Sequence, residues 1–255
     1  MHSLDFRSVE KALAGCRWGH TLFTYDSIGS TMDRARELAQ KGAGEGTLVA
    51  ASVQTEGRGR LNRIWVSPPG SLYLSFLLYP SPEKLPHLTI LGGLAVAQAI
   101  EGLLPIRADL KWPNDVLVKG KKVAGILVES GVARTQNYAV IGIGINVNVE
   151  LASFPEIADV ATSLSDEIRE PVDTLKLLQA VVTELEDLYS AFDERAILTS
   201  WTNRLITLGR QVKATSGKAI IEGTAIGVSD EGALIIRRND GTEYSVLAGD
   251  VTLRL

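Results

Sequence analysis

The chain is poor in the residues that build several common kinds of site. It has a single cysteine, Cys16, so no disulfide can close within it. Its three histidines, His2, His20 and His87, lie far apart, and no Cys/His cluster has zinc spacing. Basic residues do not predominate: 26 Lys and Arg stand against 30 Asp and Glu, a formal net charge of -4. The electrostatic footprint of a nucleic-acid-binding protein is therefore missing. No run approaches the roughly 20 apolar residues needed to span a bilayer. Met1 to Glu10 has no apolar h-region, so no secretory signal is expected. The chain contains no G-x-S-x-G elbow, which argues against a serine hydrolase. It contains no G-x-x-x-x-G-K-[ST] loop either, so any ATP is bound by other means than a P-loop. These absences predict a cytoplasmic protein with neither membrane nor DNA as partner.

What is present is the balance of an ordinary globular protein: 255 residues, 45% hydrophobic and 22% charged, enough for one large core and a small appendage. A helix is expected over Thr31–Lys41, capped by Ser30 or Thr31, stopped by Gly42, and apolar at Met32, Ala35, Leu38 and Ala39. Thr47–Gln54 and Leu72–Tyr79 read as buried strands, with a polar loop between them. A long apolar helix follows, about Leu88–Leu103. Strands are expected over Leu110–Trp112, Val116–Val118, Lys122–Ser130 and Tyr138–Asn146, with a tight turn at Lys119-Gly120-Lys121. A second long helix runs from about Asp173 to Phe192. From about Leu208 the pattern shortens. Gln211–Thr215, Ala219–Ile226, Ala233–Arg237, Thr242–Val246 and Val251–Leu253 read as strands of a small barrel. The domain boundary is placed near Thr207, giving domains 1–207 and 208–255.

Four stretches carry chemistry. Gln54 to Trp65 puts Arg58, Arg60 and Arg63 among Gly57 and Gly59, after a buried strand. Glycines let the backbone approach an anion, and arginines offer forked donors to phosphate or carboxylate. A solvated basic loop would look the same. Asn62 stands where a dinucleotide fingerprint needs its third glycine. Lys111-Trp112-Pro113-Asn114-Asp115 places a lysine and a carboxylate at a strand end, suited to phosphate and magnesium, or simply to a β-turn. In Lys121 to Glu129, Gly125 and Leu127 share a face near Lys122, which reads either as a lysine at the rim of an apolar slot or as an exposed hairpin lysine. Gly142, Gly144 and Asn146 share another face, with Ile143, Ile145 and Val147 opposite. Glycines so arranged leave a slot for a flat ligand, or kink a core strand.

In that order, and after Ser30-Thr31, these stretches resemble biotin protein ligases. The resemblance covers about Tyr25 to Asn148, and the β-rich tail is similar to that family's C-terminal domain. It implies an α+β fold: a central mixed β-sheet flanked by helices, of the class II aminoacyl-tRNA synthetase-like biotin/lipoate ligase type, plus a small C-terminal SH3-like β-barrel. It implies ATP and biotin as substrates, magnesium as cofactor, and a biotin carboxyl carrier protein domain as partner, the enzyme being a monomer or a homodimer. Ser30, Thr31 and Gln54 would bond the ureido ring. Gly57, Arg58, Gly59 and Arg60 would form a loop closing over biotin and its adenylate. Trp65, Gly125, Leu127, Gly142 and Ile145 would wall the apolar slot. Lys122 would meet the biotin carboxylate and the α-phosphate. Arg58, Arg60, Arg63, Lys111, Asn114, Asp115 and Asn146 would serve the nucleotide, with Asp115 toward magnesium, and the segment from Asn148 to about Thr162 would cover the adenine. Lys122, Arg60 and Lys111 would be catalytic.

Only 29 residues precede the Ser30-Thr31 pair, so a ligase without repressor activity is expected. The family's loop often has a glycine where this chain has Leu61-Asn62. A lipoate or octanoate ligase would share the fold but needs a different arginine-glycine motif. A non-catalytic biotin or nucleotide binder is opposed by Lys122 and the arginine loop.

Overall fold

A computed structural model describes residues 4–217, 219–247 and 249–253. His2 therefore lies outside the described residues. Seven strands form the main sheet: β1 (Leu22–Tyr25), β2 (Thr47–Ala51), β3 (Leu72–Leu78), β4 (Asp109–Lys111), β5 (Asp115–Val118), β6 (Lys121–Ala133) and β7 (Gln136–Ile145). Their order is β1-β2-β3-β7-β6-β5-β4, and only the β1–β2 pair is parallel.

Alternation in β3 and β7 sorts the two faces. Leu72, Leu74, Phe76, Ile141, Ile143 and Ile145 enter the main core. That core is covered by α3 (Leu88–Leu103) and α5 (Thr174–Ser190). Helix α3 is apolar all round, as a helix enclosed between a sheet and another helix must be. Leu94 in its middle has no exposed surface. Leu94→Ala is expected to lower unfolding stability by about 2–5 kcal/mol in a denaturant titration, through lost transfer energy and the residual cavity.

The opposite face is covered only in part, by α2 (Thr31–Gln40), whose Met32, Ala35, Leu38 and Ala39 pack on Val49, Leu77, Tyr138 and Val140. Beyond the N-terminus of α2 the sheet is lined by Gly142 and Gly144, and a cleft opens there.

The tail is a five-stranded antiparallel sheet, β8 (Gln211–Ser216), β9 (Ala219–Val228), β10 (Leu234–Arg237), β11 (Glu243–Val246) and β12 (Asp250–Leu253), ordered β11-β10-β9-β8-β12. Its Val212, Ala214, Ala225, Leu234, Ile236 and Val251 are buried. The turn at Gly232 docks on the larger unit: Trp112 Nε1 donates to Gly232 O at 3.0 Å, and a ring nitrogen of buried His87 lies 2.9 Å from Asp230 O.

Four elements went unread in the sequence: α1 (Phe6–Ala12), β1, α4 (Leu164–Ile168) and α6 (Glu194–Thr202). Each is short or buries little. β1 hides only Leu22 and α6 only Ile197 and Trp201, so neither shows a clear period. The β6–β7 hairpin also runs further than expected, through Ala133 and from Gln136, where polar and exposed residues give no burial pattern.

Candidate functional site

The cleft over the glycine face holds about 420 Å³ and is lined from α2, the arginine loop, β4 to β7, residues 157–161 and β12. Of the residues expected to bind, Ser30, Thr31, Gln54, Arg58, Gly59, Arg60, Arg63, Trp65, Lys111, Asn114, Asp115, Lys122, Gly125, Leu127, Gly142 and Asn146 line it together. Two do not. Ile145 points to the other face of β7 and is fully buried in the main core, because successive strand residues alternate; Gly144 takes its place in the cleft. Gly57 faces the returning limb of its own loop, where an added Cβ would come within 2.5 Å of Ser67 Oγ and 2.6 Å of Trp65 O.

One end of the cleft is neutral. Ser30 caps α2, its Oγ accepting from the Asp33 amide at 3.4 Å. Thr31 donates to Gln54 Oε1 twice, from its backbone N at 2.9 Å and from Oγ1 at 3.0 Å. Ser75 Oγ in turn donates to Thr31 Oγ1 at 2.8 Å. Thr31, almost fully buried, thus holds Gln54 in place.

The floor of the cleft corrects the reading of the glycines. The flat group seated on them is the indole of Trp65. A Cβ at Gly144 would lie 2.7 Å from Trp65 Nε1, and one at Gly125 2.9 Å from Trp65 Cζ3. Gly142 likewise makes room for Met32, whose Sδ would be 2.6 Å from an added Cβ. Trp65 Nε1 is buried without a hydrogen-bond partner. Such an orphan donor costs free energy unless something fills it.

The arginine loop is a small hairpin. Trp65 N donates to Gly57 O at 3.0 Å, and Gly59 N to Arg63 O at 2.8 Å. At its tip Leu61 (φ 54) and Asn62 (φ 56) are both left-handed. Asn adopts that conformation readily; a leucine there is uncommon and strained. Leu61 is mostly exposed, so no packing compensates.

The other end of the cleft is charged. Lys122 Nζ lies 2.5 Å from Asp115 Oδ1 and 5.0 Å from the centre of the Trp65 ring. The Lys122 backbone is fixed by the covering segment: its N donates to Val160 O at 2.9 Å, and Thr162 N donates to its O at 2.8 Å. Asn114 and Asn146 each use one amide donor internally, to Ile126 O at 2.7 Å and Thr162 O at 3.1 Å. Arg60 Nη2 donates to Gly249 O at 3.1 Å, and Arg63 pairs with Asp250, so the loop leans on the C-terminal sheet. Arg60 has no carboxylate partner among the described residues. Burial, only partly offset by Asp250 and Asp115, pulls its guanidinium below the usual value. A desolvated cation without a counter-ion is poised for an anionic ligand.

Arg58 differs from Arg60. It is pinned between Asp33 and Glu129. All five of its N–H donors are taken by Asp33, Glu129 and Ser30, so its side chain does not serve the nucleotide as expected. Burial pushes the Asp33 carboxyl up, but the Arg58 fork, helped by Arg36, outweighs this and holds it below the usual value. The pair's stabilisation is therefore present above the ordinary Asp range, about pH 4, and is lost as pH falls through the lowered value.

Sequence reasoning missed Met32 and the Asp250–Thr252 strand. Gly144 lines the cleft on the face it was expected to share with Gly142 and Asn146, and Ile157 and Val160 belong to the segment expected to cover the nucleotide. Asp250 carried no signal, since it lies in a different sheet.

Residues 25–146 match the biotin/lipoate A/B protein ligase family, and residues 207–254 match the biotin protein ligase C-terminal domain. The chain is 37% identical over 243 residues to a bifunctional ligase/repressor of Bacillus subtilis (strain 168), covering 92% of this chain and 74% of that protein. It is 33% identical to a biotin–[acetyl-CoA-carboxylase] ligase of Paracoccus denitrificans, covering 84% of this chain and 93% of the relative. Among solved structures, the biotin protein ligase of Aquifex aeolicus in complex with biotin and ATP superposes with a TM-score of 0.76 at 34% identity, covering 92% of this chain and 99% of that one.

Proposed function

The chain belongs to the biotin/lipoate A/B protein ligase family as a biotin protein ligase, and from that premise we propose how its cleft performs the reaction. Biotin reacts with ATP to give biotinyl-5′-AMP and pyrophosphate, and biotin then passes to a lysine of a biotin carboxyl carrier protein. The observation that carries this assignment of roles is the gradient along one cleft. A neutral hydrogen-bonding end at Ser30 and Gln54 leads over the Trp65 indole to a half-buried guanidinium at Arg60 that has no carboxylate partner among the described residues. A ligand with a polar neutral head, an apolar body and an anionic tail fits that order.

Biotin enters with its ureido ring at Ser30 and Gln54 and its chain along Trp65, Leu127 and Met32. Its carboxylate reaches Lys122, which exchanges Asp115 for it. The nucleotide phosphates take Arg60, Lys111 and Arg63, and the segment after Asn148, through about Thr162, covers the adenine. The carboxylate oxygen attacks the α-phosphorus and pyrophosphate departs. Two anions must meet, so the barrier is largely electrostatic, and fixed cations in a water-poor cleft lower it. No group of three or more metal-ligating side chains exists among the described residues. Magnesium commonly binds through one or two carboxylates together with substrate phosphates, and Asp115 with Asn114 beside it fits that donor set. When bound it neutralises phosphate charge.

In the second step the neutral amine of the carrier lysine attacks the acyl carbon and AMP leaves. No enzyme nucleophile takes part. Cys16 lies in the main core beside Thr183, on the helix side of the sheet, and burial pushes its thiol up. The adenylating machinery is placed in residues 1–207, and the 208–255 unit supplies one wall of the phosphate end.

The test is to incubate the protein with biotin, ATP and magnesium and analyse the mixture by mass spectrometry. Biotinyl-5′-AMP is expected, and an added carrier domain is expected to gain one biotin. Absence of both products from folded protein would overturn the assignment. Gly144→Ala, which drives a methyl into the indole, is expected to weaken biotin binding about tenfold in a titration, since displacing Trp65 removes the floor. Gly102→Ala, with open space around it, is expected to leave binding unchanged.

A further inference from the structure

The guanidinium of Arg58 has five N–H donors, and all five have an acceptor. Nε and Nη2 donate to the two oxygens of Glu129, at 3.1 Å each. Nη1 and Nη2 donate to the two oxygens of Asp33, at 2.9 and 2.8 Å. The second Nη1 proton goes to Ser30 Oγ at 3.2 Å. An arginine can offer no more than five, so none is left for a phosphate. This is the physical reason that Arg58 does not serve the nucleotide through its side chain.

The consequence falls on Ser30. A hydroxyl oxygen has two lone pairs and one proton. Both lone pairs of Ser30 Oγ are filled, one by the Asp33 amide at the start of α2 and one by Arg58. Its only remaining capacity is to donate. Gln54 is in the same condition: Oε1 accepts twice from Thr31, and Nε2 gives one proton to Ser67 Oγ at 3.3 Å, leaving one N–H. The neutral end of the cleft therefore presents donors at both residues.

We propose that Asp33 and Glu129 are positioning residues, which act through Arg58 to fix the Ser30 hydroxyl as a hydrogen-bond donor to a ligand carbonyl. They select a cyclic urea over a cyclic guanidinium, whose C=N+ group offers no acceptor. The inference rests on the assignment of this end of the cleft to the biotin ureido ring. Asp33 and Glu129 hold the fork from opposite sides, from the first turn of α2 and from β6, so the loop, the helix and the sheet meet at one side chain. Arg36 also pairs with Asp33 and lies 3.8 Å from Glu129, which tempers the repulsion between the two carboxylates.

The experiment compares biotin affinity in the wild type, in Asp33→Asn/Glu129→Gln, in Ser30→Ala, and in the three changes combined, with KM for ATP measured in parallel. The double variant is expected to weaken biotin binding about tenfold and to lose about as much discrimination against protonated 2-iminobiotin, while KM for ATP stays within about twofold. In the Ser30→Ala background the same two changes are expected to alter biotin affinity by less than about twofold, since the hydroxyl they orient is gone. Equal weakening with and without Ser30, a parallel rise in KM for ATP, or no change at all would overturn the proposal. A thermal melt checks folding. Should the double variant unfold, Glu129→Gln alone leaves Asp33 on the fork and carries the same comparison, with an expected shift of about threefold. Wild-type protein that does not bind biotin would instead defeat the functional assignment on which the proposal rests.

Discussion

Lys122→Ala is expected to slow formation of biotinyl-5′-AMP by about 10²- to 10³-fold in a single-turnover assay, the loss typical of deleting one preorganised electrostatic donor. Lys122 stands at the start of β6, where the register with β5 shifts, and its backbone is held on both sides by Val160 and Thr162. Its ammonium is thereby delivered to Asp115 and the rim of the Trp65 ring. Removing it has two effects of the same sign. The carboxylate and the α-phosphate lose the cation between them, and Asp115 is left as a half-buried unpaired anion facing the incoming phosphates. Lys122→Arg keeps the charge but replaces a compact ammonium by a wider fork, and is expected to recover only about a tenth of the lost rate. A Lys122→Ala enzyme within about threefold of wild type would remove Lys122 from the chemistry.

Arg60→Gln is expected to lower kcat/KM for ATP by about 10²-fold while biotin affinity changes by less than about threefold. The contrast with its neighbours gives the reason. Arg58 is saturated by two carboxylates and a hydroxyl, and Arg63 is paired with Asp250 and 69% exposed in its side chain. Arg60 alone among the three is half-buried without a carboxylate partner among the described residues, its one acceptor being Gly249 O. A phosphate that meets it meets a cation already partly desolvated and held by Gly249 O, so less reorganisation opposes the contact. Arg63→Gln is expected to cost about tenfold or less, because its charge is solvated and already neutralised. Equal losses at Arg60 and Arg63 would mean that the loop acts as a diffuse basic patch, without the division of labour its contacts describe.

Much of this was legible in the sequence because burial leaves a period. Helix α3 and the strand β3 are apolar and sharply bounded, and the middles of β2 and β7 are apolar, so their positions follow from pattern even where an end does not. The order of the four motifs names most of the residues that line the cleft. What stayed hidden depends on contacts between distant segments. Arg58, Arg60 and Arg63 look alike in the chain, and only Asp33, Glu129, Gly249 and Asp250, up to 189 residues away, tell them apart. The glycines of β6 and β7 announced a flat neighbour, but a sequence cannot say that Trp65, sixty or more residues earlier, is that neighbour. Ile145 was misplaced for a simpler reason. Alternation with Gly144 puts it on the core face of β7, opposite to the cleft that the family resemblance implies for it.

The most direct test of the account is biotin-dependent exchange of labelled pyrophosphate into ATP by the wild-type protein, with lipoate as the competing acid. Exchange that requires biotin, ignores lipoate and collapses with Lys122→Ala is the predicted result. No exchange with biotin, from folded protein with magnesium present, or exchange driven equally by lipoate, would contradict the assignment of the cleft to biotin activation.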